Sequence, residues 1–169
     1  LVLSNRADAA GLAHAASRGV PTSVVESRAF RGDRAGFEVA MEAELARRGV
    51  EIIALAGFMR VLTEGFVARW DGRMINVHPS LLPSFPGLDV QKKAIEWGCK
   101  LAGCTVHFVT EGVDEGPIIL QAAVPILDDD SPETLAARIL VQEHKLYPRA
   151  VQLFAEGRLG VEGRRVCIE

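Results

Sequence analysis

Short apolar runs alternate with helix-spaced apolar stripes along the first two thirds of the chain, the pattern of βαβ units. Leu1 to Ser4 reads as a strand. Leu12, Ala13 and Ala16 mark one face of a helix from about Asp8 to Ser17, with Gly19 as its stop. Pro21 to Val25 predicts a second strand. Phe37, Met41 and Leu45 recur at spacing four behind Asp33, so a helix capped by Asp33 is expected, ending at Gly49. Glu51 to Ala56 is almost continuously apolar, as in a strand covered on both faces.

Further along, Thr63 is placed to cap a short helix through Trp70, and Met74 to His78 reads as a strand. A proline-rich loop follows, then a helix capped by Asp89 and ending near Gly98. Cys104 to Thr110 and Ile118 to Val124 predict two strands whose short connection makes them antiparallel. Ser131-Pro132-Glu133 combines a cap, a proline at the first helical position and an acid in the first turn. The helix it starts carries Leu135, Ile139, Leu146, Ala150 and Phe154 as one stripe, with a kink expected at Pro148. Gly160 to Glu169 reads as a small hairpin around Glu162-Gly163. The expected fold is therefore α/β, a mostly parallel sheet with an antiparallel strand near the C-terminus.

Composition narrows the class. With 169 residues, 49% hydrophobic and 24% charged, the chain is expected to be one domain over 1–169 with a core of its own. The net charge of -3 argues against a partner in nucleic acid. No apolar run reaches the ~18 residues of a membrane span. Cys99, Cys104 and Cys167 are too few and too uneven for a disulfide framework, which points to a reducing, cytoplasmic setting.

Asn76 and His78 lie two apart on one strand, hence on the same side of the sheet, and at the strand's carboxyl end, where open α/β sheets place ligands. Pro79, Pro83 and Pro86 stiffen the loop beside them. Asp114 follows another strand. If the strands are neighbours, Asn, His and Asp converge, a set suited to acyl transfer to an amine. The amide would donate to a developing oxyanion, and the carboxylate would favour a protonated, donating imidazole. Each residue also has a structural alternative: His78 as a hydrogen-bonded strand residue, Asn76 as a backbone partner, Asp114 as a turn former. A zinc site from His78, His107 and Cys104 lacks the paired spacing such sites use. His107 reads as a packed strand residue, Cys99 and Cys104 as buried thiols, His14 as a surface or packing residue, and Asp128 to Asp130 as a solvated helix entrance. Arg60 is expected to face water or a carboxylate.

Three segments, Gly57-Phe58-Met59-Arg60-Val61-Leu62, Ile75-Asn76-Val77-His78-Pro79-Ser80-Leu81-Leu82-Pro83, and Val106 to Thr110 continuing through Asp114-Glu115-Gly116-Pro117, together resemble the formyltransferases that use 10-formyltetrahydrofolate. The resemblance spans essentially the whole chain and implies a doubly wound, Rossmann-like sheet. Its His-Pro-Ser-Leu-Leu-Pro form is similar to the branch acting on glycinamide ribonucleotide. The branches acting on methionyl-tRNA and the formyltetrahydrofolate hydrolases differ there. What the resemblance implies is formyl transfer from 10-formyltetrahydrofolate to the amine of glycinamide ribonucleotide, without metal, by a monomer or homodimer. By position it implies Asn76, His78 and Asp114 as the catalytic trio. Folate contacts would come from Arg34, Met59, Arg60, Val61 and Leu62, from Asn76, and from Thr110, Glu111, Gly112, Val113 and Asp114. Leu140, Val141, Gln142 and Glu143 would meet the ribonucleotide, although that stretch holds no Lys or Arg for a phosphate. Relatives begin with a further strand and a Gly- and Ser-rich phosphate loop. These are expected ahead of Leu1, and a chain starting at Leu1 is expected to be inactive. A hydrolase of the same family and a non-catalytic folate-binding module are the alternatives.

Overall fold

A computed structural model describes residues 1–169, which form two compact units, Leu1–Glu51 with Leu62–Phe66, and Ile52–Val61 with Val67–Glu169. In the first, strand β1 (Val2–Ser4) pairs in parallel with β2 (Thr22–Val24) across helix α1 (Ala10–Ala16). The helix starts two residues later than the apolar pattern predicts. Asp8 is held in a two-pronged ion pair with Arg6, at 2.9 and 2.7 Å, so its carboxylate is not spent on a cap, and Ala9 takes that position. Helix α2 (Arg34–Arg47) is capped by Asp33, which accepts from the Gly36 N–H at 2.8 Å. Its face buries Phe37, Met41 and Leu45. Glu38 is buried beside them and accepts from the backbone N–H of Thr63 at 2.7 Å and from the Thr63 hydroxyl.

The second unit is a six-stranded sheet with the order β3-β4-β5-β6-β8-β7, built from β3 (Ile53–Leu55), β4 (Met74–His78), β5 (Leu101–Phe108), β6 (Ile118–Pro125), β7 (Leu159–Glu162) and β8 (Arg165–Ile168). Strands β3 and β4 are parallel, β4, β5 and β6 run antiparallel in turn, and β7 and β8 form the expected hairpin, turning at Gly163 with φ 61°. The fold is thus α/β with a mixed sheet: its early pairs are parallel, β4–β5–β6 and the β7–β8 hairpin are antiparallel, and β8 joins β6 in parallel. β3 is shorter than its apolar run and is not covered on both faces, since Ala54 between Ile53 and Leu55 is exposed; it stands at one end of the six-stranded order. β5 begins three residues earlier than expected because Leu101 pairs with Pro125.

Helix α5 (Pro132–Ala155) lies on this sheet and supplies much of the core. Ser131 accepts from Thr134 N–H and the Thr134 hydroxyl reaches back to the Ser131 N–H, a reciprocal cap. Leu135, Ile139, Ala150 and Leu153 are buried, with Leu146 and Phe154 half-buried, and the helix continues through Pro148. A Leu135→Ala change would leave a cavity costing about 2–5 kcal/mol. Asp130 does not solvate the helix entrance. Its side chain is 3% exposed and clamps Arg138 at 2.7 and 2.8 Å, because α5 carries that arginine back over the turn. The guanidinium holds the Asp130 carboxyl far below the usual range.

Between β4 and β5 run the proline-rich loop, with a cis Leu82–Pro83 bond, and helix α4 (Val90–Glu96). Asp89 stands at the start of α4 without capping it. Its φ of 57° is left-handed, whereas a capping side chain needs extended backbone to reach the first free N–H groups. The remaining helix, α3 (Glu64–Arg69), has Thr63 at its entrance accepting from Phe66 N–H at 3.2 Å.

Candidate active site

Strand β4 presents Asn76 and His78 on one side, and β5 lies directly beside it, so the register decides what they meet. Asn76 stands opposite His107, and His78 opposite Thr105. All four polar side chains are thus set by one antiparallel pair. A register irregularity between Val106 and His107 in the β5–β6 pairing sits at the same level, and such bulges re-aim side chains next to functional sites.

Asp114 reaches this group from the β5–β6 loop. Its backbone is left-handed, φ 56°, a conformation that aspartate tolerates better than most side chains. The loop closes tightly because Gly116 has no side chain: a Cβ there would lie 1.8 Å from the Phe108 carbonyl oxygen. The result is a carboxylate, 13% exposed, with Oδ2 3.3 Å from His78 Nδ1 and Oδ1 3.6 Å from His107 Nε2. The N–H of Gly87 donates to Oδ2 at 2.9 Å, which ties the proline-rich loop to the same carboxylate. Burial pushes the Asp114 carboxyl up. The His107 ring, the Gly87 N–H and the positive charge of His78 and His107 outweigh it and hold the group below the ordinary aspartate range.

His78 is buried, 5% exposed, between two oxygens that only accept: Asp114 Oδ2 on the Nδ1 side and the Phe85 carbonyl, 3.0 Å from Nε2. A neutral ring donates to one of them, whereas an imidazolium donates to both. The Nδ1 contact of 3.3 Å exceeds the ~2.7–2.9 Å of a tight charge-assisted bond. Asn76 Nδ2 lies 3.4 Å from His107 Nε2.

The sequence-implied residues divide accordingly. Asn76, His78 and Asp114 are brought together. Met59, Arg60 and Val61 form an exposed stretch after β3, and in the β5–β6 loop Thr110 and Gly112 are half-buried while Glu111 and Val113 are exposed. Arg34, exposed at the first turn of α2, and half-buried Leu62 belong to the other unit. On α5, Leu140 and Val141 are exposed, while Gln142 and Glu143 are half-buried. Burial raises the Glu143 carboxyl above its usual value, and its charge in turn helps burial push the nearby Cys104 thiol up to about 11. Cys99 is half-buried, not buried like Cys104. His14 is exposed and contacts Arg18.

Sequence reasoning missed His107, which is packed as expected yet also touches both Asn76 and Asp114. Its alternation with Thr105 on one strand was the available signal. The backbone groups of Phe85 and Gly87 left no signal in side-chain chemistry.

Comparison with known proteins adds to this geometry. The profile of the family described as formyl transferase matches residues 1–151. The chain is 43% identical over 158 residues to the phosphoribosylglycinamide formyltransferase of Escherichia coli, covering 94% of this chain and 74% of that protein. It is 47% identical over 169 residues to the bovine trifunctional purine biosynthetic protein adenosine-3, of which it spans only 16%. A crystal structure of glycinamide ribonucleotide transformylase 1 from Symbiobacterium toebii superposes with a TM-score of 0.93 at 53% identity, covering 99% of this chain and 78% of that one.

Proposed function

Because this chain belongs to the formyl transferase family, we propose that it transfers the formyl group of 10-formyltetrahydrofolate to the amine of glycinamide ribonucleotide. The observation that carries the reading is the buried His78 held between Asp114 and the Phe85 carbonyl, with Asn76 alongside on the same strand. No covalent nucleophile is needed: the amine attacks the formyl carbon, and the new C–N bond forms as the carbonyl oxygen takes negative charge. Asn76 donates its amide hydrogens to that oxyanion, and the His78 Nδ1–H shares itself with it, two donors fixed before charge develops. Asp114, its carboxyl held below the ordinary aspartate range, faces His78 Nδ1 at 3.3 Å and orients the ring. Collapse breaks the bond to the folate nitrogen, which leaves carrying the proton given up by the amine.

In this reading Met59 to Leu62, Thr110 to Val113 and Arg34 contact the folate, and Leu140 to Glu143 the ribonucleotide. The protein acts in the cytoplasm as one functional domain, monomeric or dimeric. Support for the acceptor comes from relatives whose names carry it.

The test mixes the natural full-length protein with 10-formyltetrahydrofolate and follows release of free tetrahydrofolate. Release that requires glycinamide ribonucleotide supports the transferase. Release without it assigns a hydrolase, and binding without release a folate-binding module.

A further inference from the structure

We infer that Thr105 is a positioning residue: its hydroxyl, together with the Gln121 amide, holds the proline-rich loop so that the Phe85 carbonyl fixes the His78 ring. The inference rests on the formyl-transfer reading for its kinetic consequence and on geometry alone for its structural one.

Thr105 is wholly buried, between Cys104 and Val106 on β5, and directly opposite His78. A hydroxyl in such a place costs stability unless its hydrogen bonds are made. It has one donor and two acceptor positions, and all are filled. It donates to the Ser80 carbonyl at 2.7 Å and accepts from the Leu82 N–H at 3.0 Å and from Gln121 Nε2 at 2.9 Å. The same Gln121 nitrogen gives its second hydrogen to the Leu82 carbonyl at 2.9 Å. Residues 80 to 82 are therefore gripped through both N–H and C=O groups by two side chains from two neighbouring strands. Valine has nearly the same shape and would fill the volume without this need, so space-filling does not account for the hydroxyl.

What the grip controls lies three residues on. The Ser80 hydroxyl shares its one hydrogen between the carbonyls of Ser84, at 2.7 Å, and Phe85, at 3.1 Å. Phe85 has φ 53°, a left-handed backbone that a bulky residue keeps only where its surroundings over-determine it. Its carbonyl in turn accepts from His78 Nε2 at 3.0 Å. The ring is thus aimed by a chain that starts at its own cross-strand neighbour: Thr105 to Ser80, Ser80 to Phe85, Phe85 to His78. Loosening the first link frees the carbonyl, and with it the ring angle that points Nδ1 toward Asp114.

The experiment compares Thr105→Val, Thr105→Ser and Gln121→Leu in the full-length protein, reading kcat, KM for both substrates and the ring nitrogen signals of His78 by NMR. Gln121 is exposed, so its variant tests the clamp even if Thr105→Val fails to fold. The valine and leucine variants are expected to lower kcat about tenfold, the scale of one lost hydrogen bond, with KM unchanged and the Nε2–H signal shifted and exchange-broadened. Thr105→Ser is expected to restore both. Wild-type kcat and an unchanged ring signal in folded Gln121→Leu overturn the inference, as does a Thr105→Ser protein no better than the valine. If the wild-type protein transfers no formyl group, the functional reading fails, and the ring signals alone still decide the clamp.

Discussion

Asn76 and His107 face each other across the β4–β5 pair, with the amide nitrogen 3.4 Å from ring Nε2 and Asp114 Oδ1 3.6 Å from that same ring nitrogen. The opposite ring nitrogen, Nδ1, is anchored at 2.8 Å to the Phe108 carbonyl. His107 therefore stands between Asn76, the proposed oxyanion donor, and the Asp114 carboxylate, its Nε2 near both. Replacing it by leucine should lower kcat by about tenfold through the loss of one such contact, with the fold intact by circular dichroism. A wild-type kcat would mean that Asn76 is oriented without it.

Acid should expose the role of Asp114 in stability. Its folded pKa lies below the ordinary aspartate value of 3.8. Its contribution is therefore complete above the unfolded value and is lost as pH falls through the folded one. Between pH 7 and 5 the Tm of wild type and Asp114→Asn should differ by a constant amount. Below about pH 4 the gap should close as the wild-type carboxylate is titrated. A gap that closes already near pH 6 would contradict the lowered value.

The three thiols should react in order of exposure. Cys167 is exposed, Cys99 half-buried, and Cys104 is buried with its thiol pushed up to about 11, far from the reactive thiolate at neutral pH. Alkylation followed by mass spectrometry should label Cys167 first and Cys104 only under denaturant. Early labelling of Cys104 would show that β5 opens in the native protein.

Tyr147 on α5 donates its hydroxyl to the Leu55 carbonyl at 2.5 Å and approaches the Ile75 carbonyl at 3.3 Å, joining the helix to β3 and β4. Burial pushes its phenol well above the usual value, so it remains a donor at any physiological pH. Tyr147→Phe should cost about 1 kcal/mol by urea unfolding, the usual net worth of such a bond. The m-value should be unchanged.

The order of elements could be read from the chain because period and punctuation agreed there. Met74 to His78 is alternately placed and bounded, and it appears as a strand with those limits; Asp33 caps as its position predicts. Where tertiary contacts decide, the sequence was silent. Nothing local announces that Arg6 claims Asp8, that Ala54 is exposed on β3, or that Arg138 reaches back eight positions to Asp130. The site divides the same way. Asn76, His78 and Asp114 were visible as residue types at strand ends, but the partnership with His107 and Thr105 depends on β4–β5 register, which side-chain patterning does not encode when both strands are buried.

Asn76, His78, Thr105, His107 and Gln121 all stand on the consecutive antiparallel ribbon β4–β5–β6, and Asp114 on its connecting loop. The segment 59–61 and the exposed positions 111 and 113 lie outside those ladders. In the proposed reading, reactive chemistry and ligand contact are therefore assigned to parts of unequal rigidity. The ribbon amides should be among the last to exchange with heavy water and the flanking loops among the first. If that assignment holds, such a chain could change what it grips by altering loop residues while the bond-making atoms keep their places.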